Sequence, residues 1–449
     1  MRLTQFLPDG TSTADSIEPL VTELLTHRET LARVPVSDLL DLFDDYGRRL
    51  LEHPETRHLD GVAFLASWLK RSNLESMLKL NLGGSTAFLD GFQPTATSLK
   101  LAAKPRGFVS MWMAGNVPTL PLFSIVSTLL AKNVCLAKLA AVDNESAMPA
   151  LLRVLGESAA PHISGRELLH FVAIVHFHHE HADLNRAMSL AADTKIMWGG
   201  ATALEAISAL PRQEHCTEIA FGPKYSIGLL DRKRLERGQG PAPNDELGTI
   251  AAASVARVFL KGADGLDRSI AAFVRDIAAF DQRACSAPQT IFVERNSRLS
   301  LREIGELFAA QFRRLPQKQG LDFYTTSRIV STRAAWALDA DRDVISSGPE
   351  ANWTVCMDRE VSLKEAIQSR TVFLTEVDSW REILPLLTAK VQSVGIAFAE
   401  HADAEEFASE ATMRGVARCI RPGLMNGFES PWDGKLLVSE VVRWVSLKS

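Results

Sequence analysis

The 449-residue sequence holds five cysteines, Cys135, Cys216, Cys285, Cys356 and Cys419, and the closest two are 419 − 356 = 63 residues apart. That spacing leaves no CxxC pair, no zinc pattern and no local disulfide framework, so the question becomes whether one thiol is reactive. Cys285, in FDQRACSAPQ, stands in a turn of small residues between a helical stretch and a strand. Backbone N–H groups at such a boundary can lower a thiol pKa and later hold an oxyanion. The other reading is a buried structural cysteine, because free Cys is among the most buried residue types.

Three further positions carry possible chemistry. Asn116, in AGNVP, follows an apolar strand. Its amide can donate to a developing oxyanion without proton transfer, though Asn and Pro are also ordinary turn residues. Lys138 lies in the otherwise apolar CLAKLA. A Lys there calls for a partner such as a cofactor hydroxyl or phosphate, or else it snorkels from an edge. Trp198-Gly199-Gly200 ends the strand TKIMW and opens a helix. Paired glycines let backbone approach a ligand, and a helix N-terminus favours phosphate. There is no G-x-G-x-x-G, so the orthodox dinucleotide fingerprint is missing. The run His176-Phe177-His178-His179-Glu180-His181 invites a metal reading, but its spacing is not H-E-x-x-H and a solvated loop or packed imidazoles fits it better. Trp112, Trp198 and Trp432 are candidates for lining a pocket, and core packing explains them equally well.

The elements that must position these residues alternate. From Arg106, GFVSMWMAG, NVCLAKLA, LHFVAIVHF and TKIMW read as strands. LPLFSIVSTLLAK, NESAMPALLRVLGES (with Asn144 as a cap), HADLNRAMSLAA and ATALEAISAL read as the helices between and after them. That is the pattern of parallel β–α–β crossovers in a doubly wound sheet, where ligands sit at the carboxyl ends of strands. Residues from about 15 to 95 repeat apolar positions at helical steps and offer no chemistry. GQGPAPND (238–245) reads as a loop, the stretches ELGTIAAASVARVFL and GLDRSIAAFVRDIAAF as helices, and the chain from about 250 to 430 as a second α/β lobe. The expected organisation is an N-terminal helical region at 1–100 that forms part of the cofactor lobe, a cofactor-binding domain at 101–250, a second domain at 251–430 and a tail at 431–449.

Composition excludes other classes. With a net charge of −5, there is no electrostatic case for nucleic acid. The one basic run, RKRLER at 232–237, is read as a solvated loop or helix end. No stretch approaches the ~20 apolar residues of a membrane span, and the N-terminus lacks a signal-peptide pattern. The expectation is a cytoplasmic protein.

The order of these motifs resembles the LuxC-type acyl-CoA reductases, the fatty acid reductase branch of the aldehyde dehydrogenase superfamily. Matching segments are AGNVP (114–118), ADTKIMWGG (192–200), FGPKYS (221–226), DQRACSAPQ (281–289), GVAR (415–418) and PWDG (431–434), within roughly residues 60 to 445. The resemblance implies an aldehyde dehydrogenase-like fold: a Rossmann-type doubly wound cofactor lobe plus an α/β catalytic lobe. It implies Cys285 as the thiolate nucleophile and Asn116 as oxyanion donor beside the Cys285 N–H. Lys138 would bind the adenosine ribose, and Trp198, Gly199 and Gly200 would form the turn beside the pyrophosphate.

Two departures refine the expectation. The general base Glu of the hydrolytic relatives is replaced by Ala220, so water is poorly activated and an acyl-enzyme survives to exchange with another thiol. Glu218, on the same strand face, is a weak substitute. The ribose-binding Glu of NAD-specific relatives is replaced by Ala141, which favours NADPH, with NADH as the alternative. The resemblance thus implies NADPH-dependent reduction of an acyl-CoA or acyl-protein thioester to an aldehyde, beside an acyl-activating synthetase and in a homo-oligomer. The alternatives are an acylating aldehyde dehydrogenase running oxidatively, or a non-catalytic nucleotide-binding scaffold.

Overall fold

The computed structural model describes residues 3–96, 98–140, 147–237, 265–318 and 320–448. Asn144, Ala141, the loop at 238–245 and the helical stretch at 246–260 lie outside them. Two compact units are formed, one from residues 1–223 with 428–449 and the other from residues 224–427. These units divide at 223/224 and 427/428, beside the boundaries at 250/251 and 430/431 expected from sequence.

The first unit opens with a hairpin, β1 (Leu3–Leu7) and β2 (Gly10–Ala14). Helices over Glu18–Arg33, Val36–Glu52, Val62–Trp68 and Arg71–Asn81 follow, as the helical spacing requires. A short β3 (Gln93–Pro94) and β4 (Leu99–Pro105) pair antiparallel. Then come β5 (Phe108–Trp112) and β6 (Val134–Leu139), joined by the helix Leu120–Leu130. A minor ribbon of β7 (Ala159–Ala160) and β8 (Ile163–Ser164) precedes β9 (Val172–His176), β10 (Thr194–Trp198) and β11 (Thr217–Phe221). Sheet order is β11-β10-β5-β6-β9-β1-β2. The five strands from β11 to β9 are parallel, and β1 joins β9 antiparallel. The chain leaves β5 outward through β6 and β9, then returns to the other flank for β10 and β11. The order therefore reverses between β5 and β10, which is where doubly wound sheets open a ligand crevice. Every residue of β5 and β10 is buried, which is why both read as mainly apolar stretches without a clean in/out alternation.

In the second unit β12 (Tyr225–Leu230), β13 (Pro288–Glu294), β14 (Asp343–Ser346), β15 (Thr354–Asp358), β16 (Thr371–Val377), β17 (Val391–Ala397) and β18 (Arg418–Ile420) form a sheet ordered β14-β15-β16-β13-β12-β17-β18. Only β14 runs antiparallel to its neighbour. The helix Gly265–Ala278 packs Phe273 onto β12 and β17. A Cβ at Gly228 or Gly395 would come within 2.7 or 2.8 Å of that ring, so the two glycines set how closely the helix approaches the sheet. RKRLER is a short helix (Arg232–Arg237) whose Lys233 pairs with Asp403 at 2.6 Å.

The chain end is not a separate tail. β19 (Val442–Lys448) pairs antiparallel with β4 in the first unit. In PWDG, Asp433 and Gly434 take φ of 50° and 76°, a tight turn that pairs Trp432 with Lys435. Trp432 then packs against Phe123 and Phe428, with ring centroids 5.5 and 6.0 Å away.

Candidate functional site

Cys285 is half-buried, in a turn between the helix Gly265–Ala278 and the buried strand β13. Burial raises the thiol pKa of each of the other four cysteines, Cys419 to about 12. A thiol held protonated is a poor nucleophile.

The approach to Cys285 is strained. Phe280, Asp281 and Gln282 have φ of 52°, 51° and 64°. Left-handed backbone costs a non-glycine residue about 1–2 kcal/mol, and it persists only where the surroundings over-determine it. Here they do. A second left-handed run, Gln368-Ser369-Arg370, with φ of 66°, 55° and 56°, lies against the first. Ser369 N–H donates to the Asp281 carbonyl at 3.0 Å, and its hydroxyl to the Asp281 carboxylate at 2.9 Å. Lys318 Nζ, buried to 7% exposure, reaches the same carboxylate at 2.7 Å. Burial pulls the Lys318 ammonium down to about 8 against the opposing pull of Asp281. The fully buried Gln282 amide donates to the Pro288 carbonyl and accepts from Thr371 N–H, each at 2.9 Å, spanning the starts of β13 and β16.

The far side of the turn is held as firmly. Ser226 on β12 donates its hydroxyl to the Cys285 carbonyl at 2.8 Å. Ser286 donates to Asn426 Oδ1 at 2.7 Å, and Asn426 Nδ2 donates to the Asp276 carbonyl at 2.8 Å. The Asp276 carboxylate accepts Gly423 N–H. Arg418, in GVAR, donates to Ser393 Oγ at 3.0 Å and to the carbonyls of Met425 and Gly427. GVAR is thus linked to DQRACSAPQ through the 423–427 turn. Burial pushes the Asp276 carboxyl up to about 7, against its bond from Gly423 and the nearby Arg275 and Arg418.

In the first unit the other candidates gather toward the carboxyl ends of three interior strands. Asn116 follows β5, Lys138 is near the end of β6 and Trp198-Gly199-Gly200 follows β10, so they mark three neighbouring strands at the order reversal. Lys138 is half-buried with its ammonium 4.9 Å from the centroid of the Phe177 ring, and burial lowers its pKa. Among the described residues no carboxylate pairs with it. Gly200 caps the helix Ala201–Ser208, and a Cβ placed on it would meet nothing within 4 Å. The Trp198 side chain is committed to the core, donating to Ser124 Oγ at 3.0 Å and stacking on Phe221 at 3.9 Å. Trp112 is likewise buried and donates to Asn185 Oδ1 at 3.0 Å.

Glu218 is occupied. It pairs with the buried Lys195 at 3.2 Å and Arg212 at 2.8 Å. Burial raises its carboxyl, but the hydrogen bonds from Arg212 and Lys195 outweigh that and leave it below the ordinary Glu range. A carboxylate so stabilised is a weak base. In the histidine run, Phe177 packs under Lys138, while His178 and His179 are exposed and His178 lies 3.3 Å from Glu180.

Ser226, Gln282, Lys318, Ser369, Asn426 and Arg418 were not singled out from sequence. Ser226, Gln282 and Arg418 fall inside the matched segments, a usable signal; Lys318, Ser369 and Asn426 had none.

The family described as acyl-CoA reductase (LuxC) matches residues 32–444. The chain belongs to that family. Membership makes it an oxidoreductase of acyl thioesters. Among relatives of this LuxC-family chain, the long-chain acyl-protein thioester reductase of Aliivibrio fischeri is 25% identical over 419 residues, 90% of this chain and 78% of the relative. That of Vibrio harveyi is 24% identical over 393 residues, covering 85% and 73%. The aldehyde dehydrogenase from Brucella melitensis biovar abortus 2308 superposes with a TM-score of 0.65 at 10% identity, covering 100% of this chain and 93% of that one. A Bacillus cereus aldehyde dehydrogenase mutant does so at 0.64 and 12% identity, covering 100% and 96%. The fold is that of the aldehyde dehydrogenases, as the motifs implied. Among the described residues no helix is long and apolar enough to cross a membrane.

Proposed function

We propose that the chain reduces an acyl thioester to an aldehyde with NADPH, through an S-acyl intermediate on Cys285. The observation that carries this reading is the turn around Cys285: a half-buried thiol on strained, cross-bonded backbone. Strain of this kind clusters where geometry must be fixed for chemistry.

In the proposed cycle the Cys285 thiolate attacks the thioester carbonyl. The Asn116 amide and the Cys285 N–H donate to the oxyanion. The original C–S bond breaks, the outgoing thiolate takes up a proton and the acyl group stays on Cys285. When bound, the reduced nicotinamide supplies hydride to the acyl carbon. Release of the aldehyde frees the Cys285 thiolate for another turn.

The residues toward the carboxyl ends of β5, β6 and β10 fit a dinucleotide. Lys138 is a half-buried cation with no carboxylate partner among the described residues, Gly200 leaves open space, and the helix Ala201–Ser208 begins there. Lys138 would hold the ribose, and the backbone of Trp198-Gly199-Gly200 would approach the pyrophosphate. Ala141 in place of an acidic residue supports NADPH over NADH. With Ala220 at the base position and Glu218 locked in its ion pairs, the acyl-enzyme is spared hydrolysis. The names of the relatives support an acyl-protein donor, and the family description an acyl-CoA. An acyl-activating synthetase would supply the acyl group in either case.

The test is NADPH oxidation with acyl-CoAs of graded chain length, for the wild type and Cys285→Ala. Oxidation that depends on chain length and is lost in Cys285→Ala supports the reading. Equal rates in the two proteins refute it. Binding of NADPH without turnover on any acyl-CoA points to the acyl-protein donor or to a non-catalytic scaffold.

A further inference from the structure

One cluster of ligating side chains lies apart from both regions. Glu23 and His27 are four residues apart on the helix Glu18–Arg33, hence on one face. His170 sits in the turn Leu169–Phe171 that leads into β9. The His27 and His170 rings are 5.3 Å apart at 32°, and His27 meets the edge of Phe171 at 6.2 Å. One ligating atom from each of Glu23, His27 and His170 lies within 4.8 Å of the other two. Among the described residues, no hydrogen bond or ion pair engages any of these three side chains. Two imidazoles and a carboxylate that converge without satisfying one another are a donor set in want of a cation.

We propose that Glu23, His27 and His170 form a binding site for a zinc-class divalent cation, which clips the helix Glu18–Arg33 to the segment entering β9. Two His and one Glu make a three-ligand zinc set, with water in the fourth position. Imidazole ligands select zinc, copper or nickel over calcium or magnesium, which prefer oxygen cages. Tetrahedral zinc ligands stand about 3.3 Å apart, so from separations of 4.8 Å or less the side chains need close by no more than about 1.5 Å. Glu23 and His170 are exposed and reach that spacing by rotamer change, while half-buried His27 supplies the fixed point. The helix supplies two ligands in register, which lowers the ordering cost of binding. The exposed His178-His179-Glu180 group differs: its three ligands are consecutive in one loop, and His178 already pairs with Glu180. The proposal is independent of the reaction assigned to Cys285.

The test is Zn²⁺ titration of the metal-free full-length chain by calorimetry, with thermal unfolding followed in parallel. Five thiols can also bind zinc, so the comparison with variants is what decides. His27→Ala and His170→Ala should each weaken the binding event by more than ~10-fold, the loss seen even for groups that merely orient a metal ligand. Glu23→Gln should weaken it less. A His178→Ala/His179→Ala double variant should bind like the wild type. Zn²⁺ should raise the unfolding midpoint of the wild type and not of His27→Ala. Absence of binding overturns the site, as does an affinity unchanged in both His27→Ala and His170→Ala. Loss confined to the His178/His179 variant overturns it too.

Discussion

The Ser286 hydroxyl, next to Cys285, donates to Asn426 Oδ1 at 2.7 Å, and Asn426 passes the tie on to the Asp276 carbonyl at 2.8 Å. Residues 140 or more apart in sequence thereby fix the position of the turn. Asn426→Ala leaves a buried hydroxyl and a buried carbonyl without partners, at about 1–3 kcal/mol of stability. We expect lower stability to urea and slower single-turnover acylation of Cys285, the two measured on the same preparation. A stability loss with unchanged acylation would make Asn426 a structural residue only.

Lys318 holds Asp281 at the centre of the left-handed run. Removing one partner of a buried pair costs about 3–5 kcal/mol, and Asp281, 31% exposed, brings the expected loss toward or below the lower end. Lys318→Met should unfold at lower urea and acylate Cys285 more slowly, and Lys318→Arg should recover part of both. Matching urea midpoints for wild type and Lys318→Met would show that the run stands without its cation.

The Asp276 carboxyl gives stability a pH signature. Its folded pKa, raised by burial, is about 7 against 3.8 for the free group. Across that window the folded chain keeps a proton that the unfolded chain has lost, so stability falls as pH rises. The contribution is complete below about 4 and gone above about 7. Asp231, raised to about 6, acts in the same direction. Asp276→Asn should therefore lose less stability than the wild type between about pH 5 and about pH 8, as denaturation midpoints at the two pH values will report. Equal losses would remove Asp276 from this role.

In the first unit, Lys138→Met should raise the Kd for NADPH by about 10- to 100-fold, the worth of a hydrogen bond made by a charged group. Fluorescence titration with NADPH and NADH side by side measures it. An unchanged Kd would place the nucleotide elsewhere.

What the sequence revealed depended on the range of the signal. β5, β6, β9 and β10 were legible because parallel strands covered on both faces read as mainly apolar runs, and the intervening helices keep their period. The hairpin β1–β2 and the pair β4–β19 were not. β2, Gly-Thr-Ser-Thr-Ala, holds no large apolar residue and β19 is largely exposed, so no apolar run marks them, and β4 and β19 are joined across most of the chain. Tyr225–Leu230 falls within the 101–250 domain expected from sequence, yet as β12 it lies between β13 and β17 of the second unit. At the candidate site, Cys285 could be singled out from its own turn. The left-handed runs could not, because Phe-Asp-Gln and Gln-Ser-Arg contain neither the Gly nor the Asn that usually marks such backbone. Lys318 and Asn426 act only through contacts that chain folding creates.

The most direct test of the central claim is to trap the acyl-enzyme. The chain is mixed with a long-chain acyl-CoA without NADPH, quenched in acid, and examined by intact-mass spectrometry and peptide mapping. One acyl group on Cys285, removed by hydroxylamine, discharged as aldehyde when NADPH is added and absent from Cys285→Ala, is the predicted result. Aldehyde formation with no adduct on Cys285, or an adduct that persists in Cys285→Ala, would contradict it.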